Sequence, residues 1–282
     1  MLRNTCQKFF SYLFILISLC ASACQTLNEP DSKQKAEDIL TTQKTMVINY
    51  INQGQPNLAL RELRPLEKAN PEDVDIKNLM GLTYLAMQNS KTAQTFFQKA
   101  YKIEKRAPIA LNLSSAMIEN GQGPKAIKLL KDLQASEAGK AYQYPERIHH
   151  NLGLAAERMG KLPLAEKYYK IATEENPYFY ISLMRLGAVY EQNKKAGFAY
   201  QQYLKAREAC LKCFDPVNAA VQLQLRSGKA QLAVKTIQSY LDNKELDAAD
   251  RMKAQQLMTS ANRSVQQAKS SVRTKPQATA PR

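Results

Sequence analysis

The chain has 282 residues, 44% of them hydrophobic, with 10 Gly and no Trp. Such a composition belongs to ordinary globular proteins and excludes a wholly polar, disordered chain; the length suffices for one long or two average domains. The formal net charge of +15 favours acidic partners, whether nucleic acid, anionic lipid headgroups or an acidic protein surface, without choosing among them.

In chain order, Arg3 and Lys8 precede Phe9 to Cys20, an apolar run of about twelve residues that is too short for an ordinary membrane span. Ala21-Ser22-Ala23-Cys24 follows. Small residues directly before a cysteine resemble a bacterial lipobox, in which cleavage leaves Cys24 to receive the lipid; Ala21 stands where Leu is usual. The alternative is an ordinary signal peptidase site, because Ala21-x-Ala23 also has small-x-small spacing. Gln25 is not the Asp that resembles an inner-membrane retention signal, so the lipoprotein reading points to the periplasmic face of the outer membrane, held by several acyl chains on one cysteine. Residues 1–23 are therefore read as a lipoprotein signal peptide. Residues 24–39 are read as a tether, since 25–36 are polar and lack periodicity.

From residue 40 one template is laid down six times. Its clearest copy is Glu146 to Pro177, with Leu152, Gly153 and Ala156 on one helix, a break at Gly160-Lys161, then Ala165, Tyr169 and Ala172 on a second helix. Met80-Gly81, Tyr84, Ala93, Phe97 and Ala100 repeat it, as do Leu186-Gly187, Tyr190, Ala199, Tyr203 and Ala206. Weaker copies rest on Gly54, Gly121 and Gly228 with a small residue five later (Ala59, Ala126, Ala233). This resembles the 34-residue tetratricopeptide repeat, whose helix pairs cannot bury their apolar faces alone and must stack. The fold class expected is all-α: a tetratricopeptide superhelical solenoid of about six helix-turn-helix repeats with a C-terminal capping helix. The repeats fall at 40–73, 74–106, 107–145, 146–179, 180–213 and 214–246, a capping helix at 247–269 and a disordered basic tail at 270–282. The third connection is about five residues longer than the others, within Gln134 to Gln143. In the template, the small residues mark the close approach of two helices, and Tyr84, Phe97, Tyr169, Tyr190 and Tyr203 fill the gaps between successive units. The capping helix shows Ala249, Met252, Leu257 and Ala261 at helical spacing.

Cys6 and Cys20 leave with the signal peptide, and Cys24 is the lipidation site. Cys210 and Cys213 remain, at a helix end before Asp215-Pro216. Their C-x-x-C spacing lacks both a thioredoxin-like βαβ context and a second ligand pair for zinc, so the reading is a local disulfide, with two idle thiols as the alternative. The only histidines, His149 and His150, are adjacent, whereas a helical metal pair wants a spacing of three or four. No phosphate-binding loop, nucleophile elbow or H-E-x-x-H occurs. The reading is of a protein without catalytic residues, metal or cofactor.

Function then falls to the concave surface lined by the first helix of each repeat. The template places Asn78, Leu82 and Leu85 there, then Leu111, Ser115 and Ile118, then Arg147, His150, Leu154 and Arg158, and finally Met184 and Ala188. An apolar strip edged by Asn, His and Arg suits a helix or an extended peptide of a protein partner; the alternative is that Leu82, Leu85, Leu111 and Ile118 pack between helices. The Lys-plus-two-Asn arrangement of chaperone-tail repeats is missing, since Ile48 stands where Asn would follow Lys44.

Six such repeats behind a lipobox resemble the outer-membrane lipoproteins of type IV pilus biogenesis, the PilF/PilW/Tgl family. Tyr144-Pro145-Glu146-Arg147 and Asn151-Leu152-Gly153-Leu154, after a lengthened connection, look like that family's fourth repeat. The likeness covers roughly residues 24–250. It implies a pilotin: a non-catalytic factor that binds the pilus secretin subunit and carries it by its lipid to the outer membrane for ring assembly, with no nucleic-acid partner. A general tetratricopeptide lipoprotein of envelope assembly, or a regulator of peptidoglycan enzymes, are the other readings.

Overall fold

The structure is a computed structural model and describes residues 30–273, with side chains for 34–270. Among the described residues there are fourteen helices and no strand. Cys24, the residues read as a signal peptide, the first part of the segment read as a tether and residues 274–282 lie outside them. No helix among the described residues is long and apolar enough to cross a membrane. The chain forms two compact units, Met1–Glu104 and Lys105–Arg282.

The first unit contains α1 (Pro30–Asn52), α2 (Pro56–Ala69), α3 (Val74–Ala86) and α4 (Ser90–Ile103). Val47 of α1, Ala59 and Leu63 of α2, and Ile76 and Met80 of α3 bury one core between them. Asp73 caps α3 by accepting from the Ile76 amide at 2.9 Å, and Lys44 pairs with the same carboxylate at 2.7 Å. Burial raises the Asp73 pKa, but the Lys44 hydrogen bond and charge and the backbone amides outweigh it and hold the group below its ordinary value.

The second unit contains α5 (Ala107–Glu119), α6 (Gly123–Ala135), the single turn α7 (Glu137–Lys140), α8 (Pro145–Arg158), α9 (Leu162–Glu175), α10 (Tyr180–Gln192), α11 (Ala196–Ala209), α12 (Phe214–Arg226), α13 (Ala230–Leu241) and α14 (Ala248–Arg273). Consecutive helices pair antiparallel, and each pair packs on the next. The second helix of a pair buries a small-aromatic-small face at i, i+4, i+7: Ala165, Tyr169 and Ala172 in α9, and Ala199, Tyr203 and Ala206 in α11. The aromatic ring sits on the glycine of its own partner helix. A Cβ on Gly153 would lie 2.7 Å from the Tyr169 ring, and Gly187 faces Tyr203 in the same way, as Gly81 faces Phe97 in the first unit. The first contact of these rings is thus within a pair, where the sequence suggested packing between units. Tyr169 and Tyr203 reach the neighbouring pair as well, through a cluster that includes Leu186, Val189 and Ala220. Their hydroxyls donate to Glu157 at 2.6 Å and Glu191 at 2.7 Å, so burial and the adjacent carboxylate both push the phenol pKa values up.

Each pair turns through one residue with φ near +60 to +70°. Glycine occupies it at Gly54, Gly121, Gly160 and Gly228, but Gln88 and Lys194 hold it in the other two. The hydrogen bonds are the same in both cases: Gly160 and Lys161 amides donate to Glu157 and Ala156 carbonyls, and Lys194 and Lys195 amides to Glu191 and Tyr190 carbonyls.

The expected limits of the tether and of the capping helix change. The tether read at 24–39 is helical from Pro30 onward: its residues are good helix formers behind a proline at the first helical position, and they show no period because residues 34–39 bury nothing. The capping helix runs to Arg273, past the expected 269, so the tail read at 270–282 begins as helix. Its buried face is Ala254, Leu257 and Ala261, packed on Val217, Val221 and Ile237; Met252 is 56% exposed. Cys210 and Cys213, with Cα atoms 5.4 Å apart, are disulfide-bonded between α11 and α12.

Candidate partner-binding site

The second unit holds a cavity of about 320 Å³ built by three elements. Helix α5 contributes Pro108, Leu111, Asn112 and Ser115, spaced i, i+3, i+4, i+7 and so on one face. Helix α8 contributes Arg147, His150 and Asn151. The wall is closed by Tyr142 from the lengthened connection and by Phe179 and Ile181 at the start of α10.

Asn151 ties the floor together. Its side-chain amide, 9% exposed, donates to the Leu111 carbonyl at 3.1 Å, Ser114 Oγ at 2.9 Å and Ser115 Oγ at 3.2 Å, linking α8 to α5. His150 Nδ1 shares a hydrogen bond of 2.8 Å with Ser182 Oγ, and its ring lies between Tyr169 and Phe179. Burial, with the nearby Arg185 charge, pulls its pKa down to about 4, so the imidazole is neutral at pH 7. The adjacent His149 points elsewhere: it is buried and bonds Glu175 at 2.7 Å and Gln134 at 2.9 Å. Arg147 is exposed, stands 5.3 Å above the Tyr144 ring, and has no carboxylate partner among the described residues. The Tyr142 ring meets Tyr144 edge-on at 5.7 Å, and burial raises the Tyr142 pKa against the opposing Arg147 charge. The lining therefore carries one cation, no acid, two amides, two hydroxyls and an apolar floor. It suits a peptide with an apolar side chain beside a carboxylate.

Of the residues placed on the concave surface from the sequence, the structure brings Leu111, Ser115, Arg147 and His150 to this cavity. Ile118 is instead buried with Ala126 and Ala155, and Leu154 leans on that cluster. Met184 packs against the cluster around Leu186, and Arg158 is exposed. Asn78, Leu82 and Leu85 belong to the first unit and are half-buried there, with Leu82 against its core. Pro108, Asn112, Tyr142, Asn151, Phe179 and Ile181 were not selected from the sequence. The helical spacing of Leu111 and Ser115 would have reached Pro108 and Asn112. Tyr142 comes from a connection, and Phe179 and Ile181 from the very start of α10, where no period points.

Residues 150–210 match the tetratricopeptide repeat family. The fold is a tetratricopeptide-repeat solenoid. Among solved structures, the chain is similar to PilW, a type IV pilus biogenesis factor, with a TM-score of 0.61 at 16% identity over 76% of this chain and 97% of that one. It is similar to PilF of Pseudomonas aeruginosa, with 0.58 at 16% identity over 78% and 97%. A thermophilic tetratricopeptide protein of Thermus thermophilus gives 0.51 at 18% identity over 66% and 100%. At these identities the likeness establishes the solenoid fold. No curated protein matches the sequence significantly.

Proposed function

We propose that this tetratricopeptide protein is a non-catalytic scaffold of type IV pilus biogenesis, acting as a pilotin at the outer membrane. In this reading, lipid on Cys24 anchors the chain to the periplasmic face, and the cavity around Arg147 and His150 receives a segment of the secretin subunit. The observation that supports it best is that the similarity spans 97% of both PilW and PilF. A shared single repeat would have left most of those chains uncovered.

Leu82 and Leu154 lean on core clusters, so substituting them would test stability as much as binding. Arg147 and Ile181 are exposed at the cavity rim. Crosslinking pull-down from membranes of cells carrying Arg147→Glu with Ile181→Ser should lose the secretin, with helical content unchanged. Cys24→Ala should leave the secretin ring misplaced or unassembled. Normal secretin multimers and pili in both strains would overturn the reading.

A further inference from the structure

Three successive second helices of the second unit begin alike. Lys161-x-x-Leu164-Ala165, Lys195-x-x-Phe198-Ala199 and Lys229-x-x-Leu232-Ala233 lie 34 residues apart, so they occupy the same place in successive repeats. Each lysine is the N-cap residue of its helix, makes no capping hydrogen bond, and has no acidic residue in the turn that follows. Folding gains nothing from this, because a cation at a helix N-terminus opposes the helix dipole. The alanine that closes each motif is fully buried, which fixes the helix rotation. The preceding apolar residue faces out in two of the three: Phe198 is 62% exposed and Leu232 41%, whereas Leu164 is half-buried against the core.

The lysines are also poorly neutralised. Lys161, Lys194 and Lys229 have no carboxylate partner among the described residues, and Lys195, over the Tyr190 ring, shares Glu166 with Lys170, at 3.5 Å against 2.8 Å. The acids near these turns are engaged elsewhere: Glu157 accepts from Tyr169 and meets Arg185, and Glu191 accepts from Tyr203 and pairs with Arg226. At the C-terminal end the row opens on a cleft of about 930 Å³ whose lining includes Ala230, Leu232, Val265 and Ala268, together with Lys229 and Lys269.

We propose that this edge of the second unit docks on an anionic phospholipid bilayer. The lysines meet headgroup phosphates, and Phe198 and Leu232 enter the interface between them. An acidic protein or polymer would satisfy the lysines but leave the exposed Phe and Leu in water; a bilayer satisfies both, in the way that amphipathic surface segments do. This surface is separate from the cavity proposed for the protein partner.

The absence of tryptophan from the chain supplies the test. In the full chain, Phe198→Trp gives a single reporter, and Leu232→Trp a second one. With vesicles of phosphatidylglycerol and phosphatidylcholine, the emission of either should shift to the blue and be quenched by brominated acyl chains. Phosphatidylcholine alone should produce much less. Because the N-terminal segment can hold the protein to any vesicle, the control is Tyr178→Trp, which is 77% exposed after the opposite end of α9; its emission should not shift. Adding Lys194→Glu, Lys195→Glu and Lys229→Glu should weaken the shift at least roughly a hundredfold in lipid concentration, at about fivefold per lysine lost, with repulsion by the new carboxylates on top. The proposal is overturned if the Phe198→Trp and Leu232→Trp reporters stay unshifted on protein that is vesicle-bound, or if neutral vesicles shift them equally. A shift that survives the three charge reversals, or that poly-glutamate produces without lipid, overturns it too.

Discussion

His150 shows how a single side chain couples the cavity to stability. Unfolded, it takes a proton near pH 6.5; folded, burial and Arg185 delay this to about 4. Between those values the unfolded chain binds more protons, so acidification favours unfolding through this window and stops doing so below it. The group costs about 3 kcal/mol between pH 6.5 and 4. Urea denaturation of His150→Gln should show a smaller stability loss from pH 7 to 4.5 than the parent chain; an equal loss would mean the imidazole is not the titrating group. The turns give a second prediction at this scale. Four of the six could be recognised because they use glycine. Gln88 and Lys194 were invisible, since only backbone conformation, not residue type, marks them. A non-glycine residue with positive φ is strained by about 1 kcal/mol, so Lys194→Gly should raise stability by roughly 0.5–1 kcal/mol, while Gly160→Ala should lower it by about 1 kcal/mol. Thermal melts of the pair check both signs.

Helices legible in the sequence are those that bury a periodic face, and their limits were misread where burial stops. Residues 34–39 of α1 are helical with no buried face, and the buried face of α14 begins only at Ala254, beyond Ala249 and Met252. Inside a pair, the close approach of α8 and α9 makes Gly153 and Tyr169 interdependent. The Tyr169 ring is fully buried and its hydroxyl is held by Glu157, so it cannot retreat from a new methyl 2.7 Å away. Gly153→Ala should cost about 2–3 kcal/mol in urea denaturation. Gly197→Ala, where nothing lies within 4 Å, should gain a few tenths of a kcal/mol or more from helix propensity, about 0.5–1 kcal/mol at most. The Cys210–Cys213 loop is held by the same logic of neighbours: Tyr240 Oη donates to the Lys212 carbonyl at 2.7 Å and Asn243 to that of Leu211 at 3.4 Å. Closing so short a loop restricts the unfolded chain little, so Cys210→Ser should cost no more than about 2 kcal/mol. The cavity was legible only in Leu111, Ser115, Arg147 and His150, because its walls come from two helices, one lengthened connection and the start of a third helix, which only folding brings together.

At the level of the second unit as a whole, stability in a solenoid is a chain of nearest-neighbour contacts, so a lesion should spread only as far as its neighbours. Helix α14 tests this. It is the last helix among the described residues, and its Ala254, Leu257 and Ala261 cover a cluster made by Val217 and Val221 of α12 and Ile237 and Tyr240 of α13. A carboxylate at Leu257 would have to be buried without a partner or expelled with the helix. Expulsion is the cheaper outcome, since among the described residues α14 packs on α12 and α13, and it would expose that pair to water. In native-state hydrogen exchange, Leu257→Asp should therefore lower the protection of α12–α14 amides by about 2–3 kcal/mol. Amides of α8 and α9, two pairs away and joined to α12 through the cluster that runs from Tyr169 to Ala220, should keep theirs. If protection instead falls equally across α5–α14, the unit folds as one cooperative block, and the repeat pattern that organises the sequence does not organise its energetics.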